Sequence, residues 1–283
     1  MSPSRSVQAP LVLGVNLKMY FGPQETLRWC RAVATLVSTH PVSTSGAVEV
    51  FVLPDFTSIV PVLGIIGGSG VHVGGQDLAT DDVGAFTGEV SGRSLQVLGC
   101  QYVMVGHAER RSLFGDDERV IAAKTTAALR NGLIPVLCVG ESDRVSADDE
   151  AAQCISDLEA FLADASAVGI GRRVVVAAYE PQWAIGAAEP APTEHIIAVC
   201  TTLSAWLAGN NDIAGGRVIY GGAAGAGLLT RIAPHAQGLF LGRFAHDPAS
   251  VGLILDEAQL VLAACPTPTQ PARRDRLPSR ADP

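Results

Sequence analysis

Residues 174–186 read VVVAAYEPQWAIG, a wholly apolar run that stops at Tyr179 and is followed by a carboxylate, Glu180, set directly before a proline. A segment apolar at every position and rich in β-branched residues suits a strand covered on both faces, as in a parallel sheet packed against helices. Pro181 brings no N–H to a ladder and closes the strand. Working outward, comparable runs occupy 11–16, 48–53, 71–75, 102–106, 134–139, 217–220 and 238–241. Each is followed by a polar or Gly-rich turn and then by a stretch with helical amphipathic spacing. Strands alternating with helices predict βαβ units and a parallel sheet. Eight such units in a 283-residue chain, with no sign of a second domain, predict an α/β fold closed into a single (β/α)8 barrel over residues 11–265. An open, doubly wound sheet is the competing architecture, but no GxGxxG opens the first helix.

The bulk composition agrees with a large buried core. Hydrophobic residues make up 48% of the chain, and the mean hydropathy is positive. No apolar run reaches the roughly 18 residues that a membrane span needs. The opening MSPSRSVQAP lacks a hydrophobic signal core, so residues 1–10 are expected to form a disordered arm and the protein to be cytoplasmic. Residues 266–283, rich in Pro and Arg, are expected to be a disordered tail. Six cysteines are scattered without a CxxC pair, which argues for a reducing compartment and against a disulfide framework or a zinc site. A net charge of −8 gives no general attraction to nucleic acid. An anionic substrate would need local donors instead.

In such a barrel, chemistry sits at the C-terminal ends of the strands. That rule selects Asn16 and Lys18 after strand 1, His107 and Glu109 after strand 4, and Glu180 after strand 6. It adds the glycine-rich turn Gly221-Gly222-Ala223 after strand 7 and Gly242-Arg243 after strand 8. A cation, an imidazole, a carboxylate and two glycine-rich turns are what a proton shuffle beside a carbonyl of a small phosphorylated sugar requires. Taken singly, each has an ordinary structural explanation. Lys18 reads as a solvated strand-end lysine and His107 as a hydrogen-bonded structural histidine. Glu109, Arg110 and Arg111 read as a helix-start charge cluster, its acid favoured by the helix dipole. Glu180 merely closes a strand, and Trp183 is core. The recurrence of the whole set, in order and at the right strand ends, outweighs these separate explanations.

Segments 14–19 (GVNLKM), 84–89 (GAFTGE), 106–111 (GHAERR), 138–141 (CVGE), 179–186 (YEPQWAIG) and 220–222 (YGG) resemble signatures of the triosephosphate isomerase family, across about residues 11–264. The resemblance implies a TIM barrel that isomerises a small phosphorylated sugar through an enediolate. The substrate would be dihydroxyacetone phosphate and glyceraldehyde 3-phosphate, or a four-carbon erythrulose phosphate, with no cofactor and no metal. It implies that Glu180 is the base, that neutral His107 donates to the substrate oxygens, and that Lys18 supplies positive charge. Asn16 would be a neighbouring donor and Glu109 a supporting carboxylate. Residues 181–190 would form a lid. Gly186, Gly222, Ala223, Gly242 and Arg243 would hold the phosphate, and Thr87 would lie in a loop inserted into a second subunit of a homodimer.

The chain also departs from the family pattern. Ala223 stands where a serine usually helps latch the lid, and Ala108 where a serine often parks the base. The lid reads Ala187-Ala188-Glu189 in place of Thr-Gly-Lys, and Gly242-Arg243 replaces a glycine pair. A similar Gly-Arg ending occurs in the erythrulose-phosphate isomerase branch, which implies a changed substrate preference; the alternative is that the Arg243 side chain points away from the pocket. Two rival functions are a catalytically silent sugar-phosphate-binding barrel and an aldolase-type barrel. A pure binder needs no base, and Lys18 is the one strand-end lysine offered for Schiff-base chemistry.

Overall fold

The computed structural model describes residues 10–171 and 173–264; the expected arm apart from Pro10, the expected tail and Cys265 lie outside the described residues. In chain order the elements are β1 (Leu11–Asn16), α1 (Pro23–Thr39), α2 (Pro41–Thr44), β2 (Val48–Leu53), α3 (Ile59–Ile66), β3 (Val71–Gly75), α4 (Gly92–Leu98), β4 (Tyr102–Val105), α5 (Ala108–Phe114), α6 (Glu118–Arg130), β5 (Ile134–Val139), α7 (Ala147–Ala167), β6 (Arg173–Tyr179), α8 (Thr193–Gly209), β7 (Ile213–Gly221), α9 (Leu229–Ile232), β8 (Gly238–Leu241) and α10 (Pro248–Ala264). The strands pair in parallel in sequence order and β8 returns to β1, so the sheet closes and has no edge. No helix among the described residues is long and apolar enough to cross a membrane.

Successive strand residues point to opposite faces, so each strand divides into an inward row and a helix-facing row. Leu13, Val15, Val103, Val105, Val175, Ala177 and Tyr179 pack with the helices. The inward rows supply a separate core that includes Val12, Phe51, Tyr102, Met104, Val176 and Ile219. Phe51 stacks on Tyr102 at 4.3 Å between ring centroids, and Phe240 lies 6.0 Å from Phe51. These rings occupy the space beside Gly14, where an added Cβ would overlap Phe51 and come within 2.8 Å of Phe240. The barrel is therefore a filled core whose upper rim alone is free for chemistry.

Strands β4, β6 and β7 differ from the expected runs at their ends, and β7 and β4 do so instructively. Strand β7 begins at Ile213, four positions before the apolar run at 217, because Gly215 and Gly216 hide its start from a hydrophobicity reading. The second glycine has a packing reason: a Cβ on Gly216 would stand 2.8 Å from Leu207 of α8. Strand β4 ends at Val105, since Gly106 turns to φ +77° and releases the chain toward α5.

Beneath that turn lies a buried ion network. Lys124 of α6 donates to both Asp77 oxygens at 2.9 Å and to Asp116 at 2.8 Å. Arg110 of α5 meets Asp77 and Asp116 at 2.9 Å. Burial pushes the Asp77 carboxyl up despite the Lys124 charge. For Asp116 burial also acts upward but is outweighed by hydrogen bonds from Arg110 and Lys124, which hold it below the usual range. The network ties α5 to α6 and to the turn after β3. Lys124→Met is expected to destabilise the fold by about 3–5 kcal/mol, because it leaves two buried carboxylates with one cation; urea unfolding followed by circular dichroism measures it.

Candidate active site

At the C-terminal rim the strand ends enclose a cleft of about 800 Å³. Asn16, Lys18, His107, Glu109 and Glu180 line it. Gly186, Gly222, Ala223, Gly242 and Arg243 line it as well. Ten of the eleven site residues expected from sequence thus meet in one cavity. The eleventh, Thr87, is exposed on the loop after β3 and lies apart from the cleft, beside exposed Val83 and Phe86.

Glu180 continues the inward row of Val176 and Ala178 and is 8% exposed. Its position depends on what its neighbours lack. A Cβ on Gly140, after β5, would overlap the Glu180 carbonyl. A Cβ on Gly221, at the end of β7, would stand 2.6 Å from the Glu180 Cγ and Oε1. The carboxylate lies against the thiol of Cys138; burial, and then that negative charge, push the thiol well above its ordinary value. Glu180 Oε2 is buried with no partner. Ala108 borders the same small space as Cys138 and Glu180, and its methyl offers no donor where the family often carries a hydroxyl.

His107 is 2% exposed and caps the N-terminus of α5. The Glu109 backbone N–H donates to its Nδ1 at 3.1 Å, so in the neutral ring Nε2 carries the proton. Lys18 Nζ lies 2.5 Å from Glu109 Oε1, which keeps the ammonium beside the histidine. The Lys18 backbone is left-handed, φ 49°, a conformation that costs a non-glycine residue of order 1 kcal/mol. It is held by its N–H to Asn16 Oδ1 at 2.9 Å and by Gln76 Nε2 donating to its carbonyl at 2.9 Å. Ala223, φ 47°, is the other non-glycine residue with positive φ among the described residues, and it too lines the cleft.

The segment from Pro181 to Pro190 arches over this cavity and is tied at both ends. Trp183 Nε1 donates to Glu141 Oε1 at 2.5 Å, and Gln182 N–H donates to the Glu141 carbonyl at 2.9 Å. Beyond the far end, the Ala191 N–H donates to the Tyr220 hydroxyl at 3.0 Å. Burial pushes the Tyr220 phenol up, so it stays protonated. Between these ties Gly186 turns at φ +74°, and Arg243 Nη2 reaches its carbonyl at 3.4 Å. The Arg243 side chain is therefore directed at the lid, not away from the pocket. Sequence reasoning missed Gln76 and Arg231, which no local motif carries, and Arg231 also lines the cleft. Gly140 and Tyr220 lie inside the CVGE and YGG segments, but their roles arise across strands and were not assigned there.

A family model described as Triosephosphate isomerase matches residues 11–258. A protein named L-erythrulose-1-phosphate isomerase from Pectobacterium atrosepticum is 50% identical over 248 residues, covering 88% of this chain and 95% of that protein. A triosephosphate isomerase from Mycobacteroides abscessus is 41% identical over 223 residues, covering 77% of this chain and 83% of its own. The crystal structure of a triosephosphate isomerase from Bartonella henselae superposes with a TM-score of 0.72 at 24% identity, covering 88% and 99% of the two chains. That structural likeness speaks to the fold alone.

Gly221→Ala is expected to lower kcat by about 10²-fold while leaving the thermal transition nearly unchanged, because its methyl displaces the Glu180 carboxylate by the order of an ångström. Steady-state kinetics beside a thermal melt test this. Unaltered turnover would mean that the carboxylate does not depend on the vacancy.

Proposed function

This chain belongs to the triosephosphate isomerase family and is an isomerase of small sugar phosphates; from that premise we propose that its preferred substrate is a four-carbon ketose phosphate of the erythrulose phosphate class. The observation that carries the preference is Arg243, whose guanidinium stands at the cleft wall and reaches the lid at Gly186. The 50% identity to a protein named L-erythrulose-1-phosphate isomerase supports the same reading.

The four-carbon ketose 1-phosphate is dihydroxyacetone phosphate with a hydroxymethyl group added to the carbon that loses its proton. In this mechanism Glu180 removes that proton and returns it to the adjacent carbon, so the carbonyl moves by one position. On the four-carbon substrate both sides of the exchange are ketones. His107 donates from Nε2 to the two substrate oxygens in turn, as its Nδ1 is already occupied by the Glu109 N–H. Lys18, fixed by Glu109, opposes the negative charge of the enediolate, and Asn16 supports the Lys18 backbone. These fixed charges act most strongly when the lid excludes water. At the phosphate end, a guanidinium offers a charge-assisted grip where the family pattern has paired glycines.

A homodimer belongs to this reading. The Thr87 loop, with exposed Val83 and Phe86 beside it, is offered to a second copy, since exposed apolar side chains grouped on one loop favour burial. Cytoplasmic residence is supported by the five free, buried cysteines among the described residues.

Turnover of the purified protein on erythrulose phosphate and dihydroxyacetone phosphate, measured side by side, tests the proposal. Glu180→Gln is expected to remove about 10²–10⁴-fold of turnover on either substrate while ligand binding persists; equal turnover would point to a contaminating host isomerase. Arg243→Gly is expected to lower the ratio of four-carbon to three-carbon kcat/KM by about tenfold, the size of one lost charge-assisted hydrogen bond. An unchanged ratio would remove Arg243 from specificity.

A further inference from the structure

Behind the lid, between β6 and the helices α7 and α8, three titratable side chains converge outside the cleft. Glu141 follows β5, Glu150 lies on α7 and His195 on α8, and their ligand atoms all lie within 4.8 Å of one another. Glu150 is completely buried. Its Oε1 accepts the Glu141 N–H at 3.2 Å and the Cys154 thiol at 3.3 Å, while its Oε2 is buried with no partner. Glu141 repeats the pattern: Oε1 accepts from Trp183, and Oε2 is buried and unpartnered.

Two neighbouring carboxylates, one wholly buried and one half-buried, each with a buried and unpartnered oxygen, call for a counter-charge. Among the described residues no lysine or arginine forms an ion pair with either; Arg111 pairs with Asp157, and Arg144 lies over the Trp183 ring at 4.2 Å. A shared proton or a cation would relieve the pair. The third member distinguishes them, since a proton shared between two carboxylates has no use for an imidazole. A divalent cation bound by two carboxylates and a neutral imidazole brings the group to zero net charge. The His195 ring is already oriented, with Nε2 at 3.1 Å from the Tyr179 hydroxyl, the kind of outer contact that sets a ligating imidazole.

We propose that Glu141, Glu150 and His195 form a binding site for a divalent cation of the zinc class, completed by water. One imidazole with two carboxylates suits such borderline ions better than Mg²⁺, which prefers oxygen and retains its water. No spacing signature marks the site, because the fold assembles it from three separate elements. Its location gives it leverage on the lid. Glu141 holds Trp183 at the lid's start, His195 follows the lid's end, and Tyr179 directly precedes Glu180. An ion there would stiffen both anchors of the lid.

The test uses the full-length protein, stripped with EDTA and dialysed, titrated with Zn²⁺ by calorimetry, with Mg²⁺ as control and Co²⁺ absorption as a spectroscopic readout. The expected result is one Zn²⁺ per chain, little affinity for Mg²⁺, and a visible Co²⁺ band. Glu150→Gln and His195→Asn are each expected to weaken Zn²⁺ binding at least about tenfold, and His195→Asn to abolish the Co²⁺ band. Absence of stoichiometric binding to the unsubstituted protein overturns the proposal, as does binding that His195→Asn leaves unchanged. If Glu150→Gln does not fold, His195→Asn, at a partly exposed position, decides alone. A Glu150→Gln protein that melts higher in the absence of any metal binding by the parent would assign the pair to a shared proton, against the site. None of these readouts depends on which sugar phosphate the cleft turns over.

Discussion

The inward row of β6 ends on a carboxylate, and the inward rows on either side of it end on nothing. Val176, Ala178 and Glu180 climb one face of the strand; Gly140 after β5 and Gly221 of β7 flank the top of that climb. A side chain at either glycine would collide with the Glu180 backbone or carboxylate. The constraint is one of volume, since barrel interiors are close-packed and tolerate no extra methyl without displacement. Below this level the rings of Phe51, Tyr102 and Phe240 fill the barrel, so the carboxylate has one direction left to face, the cleft. The remaining features of the rim are arranged around that fixed point.

Holding the opposing groups requires less comfortable backbone. Lys18 and Ala223 both adopt left-handed φ values, and both border the cavity. For Lys18 the surroundings that enforce this are visible: the Asn16 amide oxygen below its N–H and the Gln76 amide on its carbonyl. Such strain persists where neighbouring hydrogen bonds over-determine the conformation. The same logic extends outward to the Lys124, Arg110, Asp77 and Asp116 network, which anchors the helix whose first turn carries His107 and Glu109. Rigidity around Lys18, His107 and Glu180 thus rests on packing and buried charge together.

Much of this was legible in the residues themselves. The apolar runs marked the strands, and strand ends marked Lys18, His107 and Glu180, because a parallel barrel gathers its strand ends at one rim. What stayed hidden depends on distance in the chain. The start of β7 escaped a hydrophobicity reading since it carries Gly215 and Gly216, the second of which makes room for Leu207, nine positions earlier on α8. Gly140 and Gly221 read as turn glycines, while their effect falls on a residue of another strand. Glu150 reads as one more acid in the first turn of α7, where a dipole favours it; only the fold reveals that it is wholly buried against Glu141.

The departures from the family pattern are distributed unevenly around the rim. Ala223, Arg243 and the Ala187-Ala188-Glu189 stretch all border the cleft, contributed by the turns after β7 and β8 and by the lid. Lys18, His107 and Glu180 stand on β1, β4 and β6. The two groups hang on different strands, with β7 paired to β6 and β8 paired to β1. Arg243 also alters more than charge, since its contact with the Gly186 carbonyl joins the strand-8 turn to the lid where two glycines would leave a gap. Its charge reaches farther still, adding to burial in holding His246 below the ordinary histidine range. On the proposed reading, proton transfer and phosphate recognition are separable modules of one barrel. Exchange of Ala223, Arg243 and the lid residues then alters how the phosphate is held, while the base, the imidazole and the ammonium continue to act on the carbonyl delivered to them.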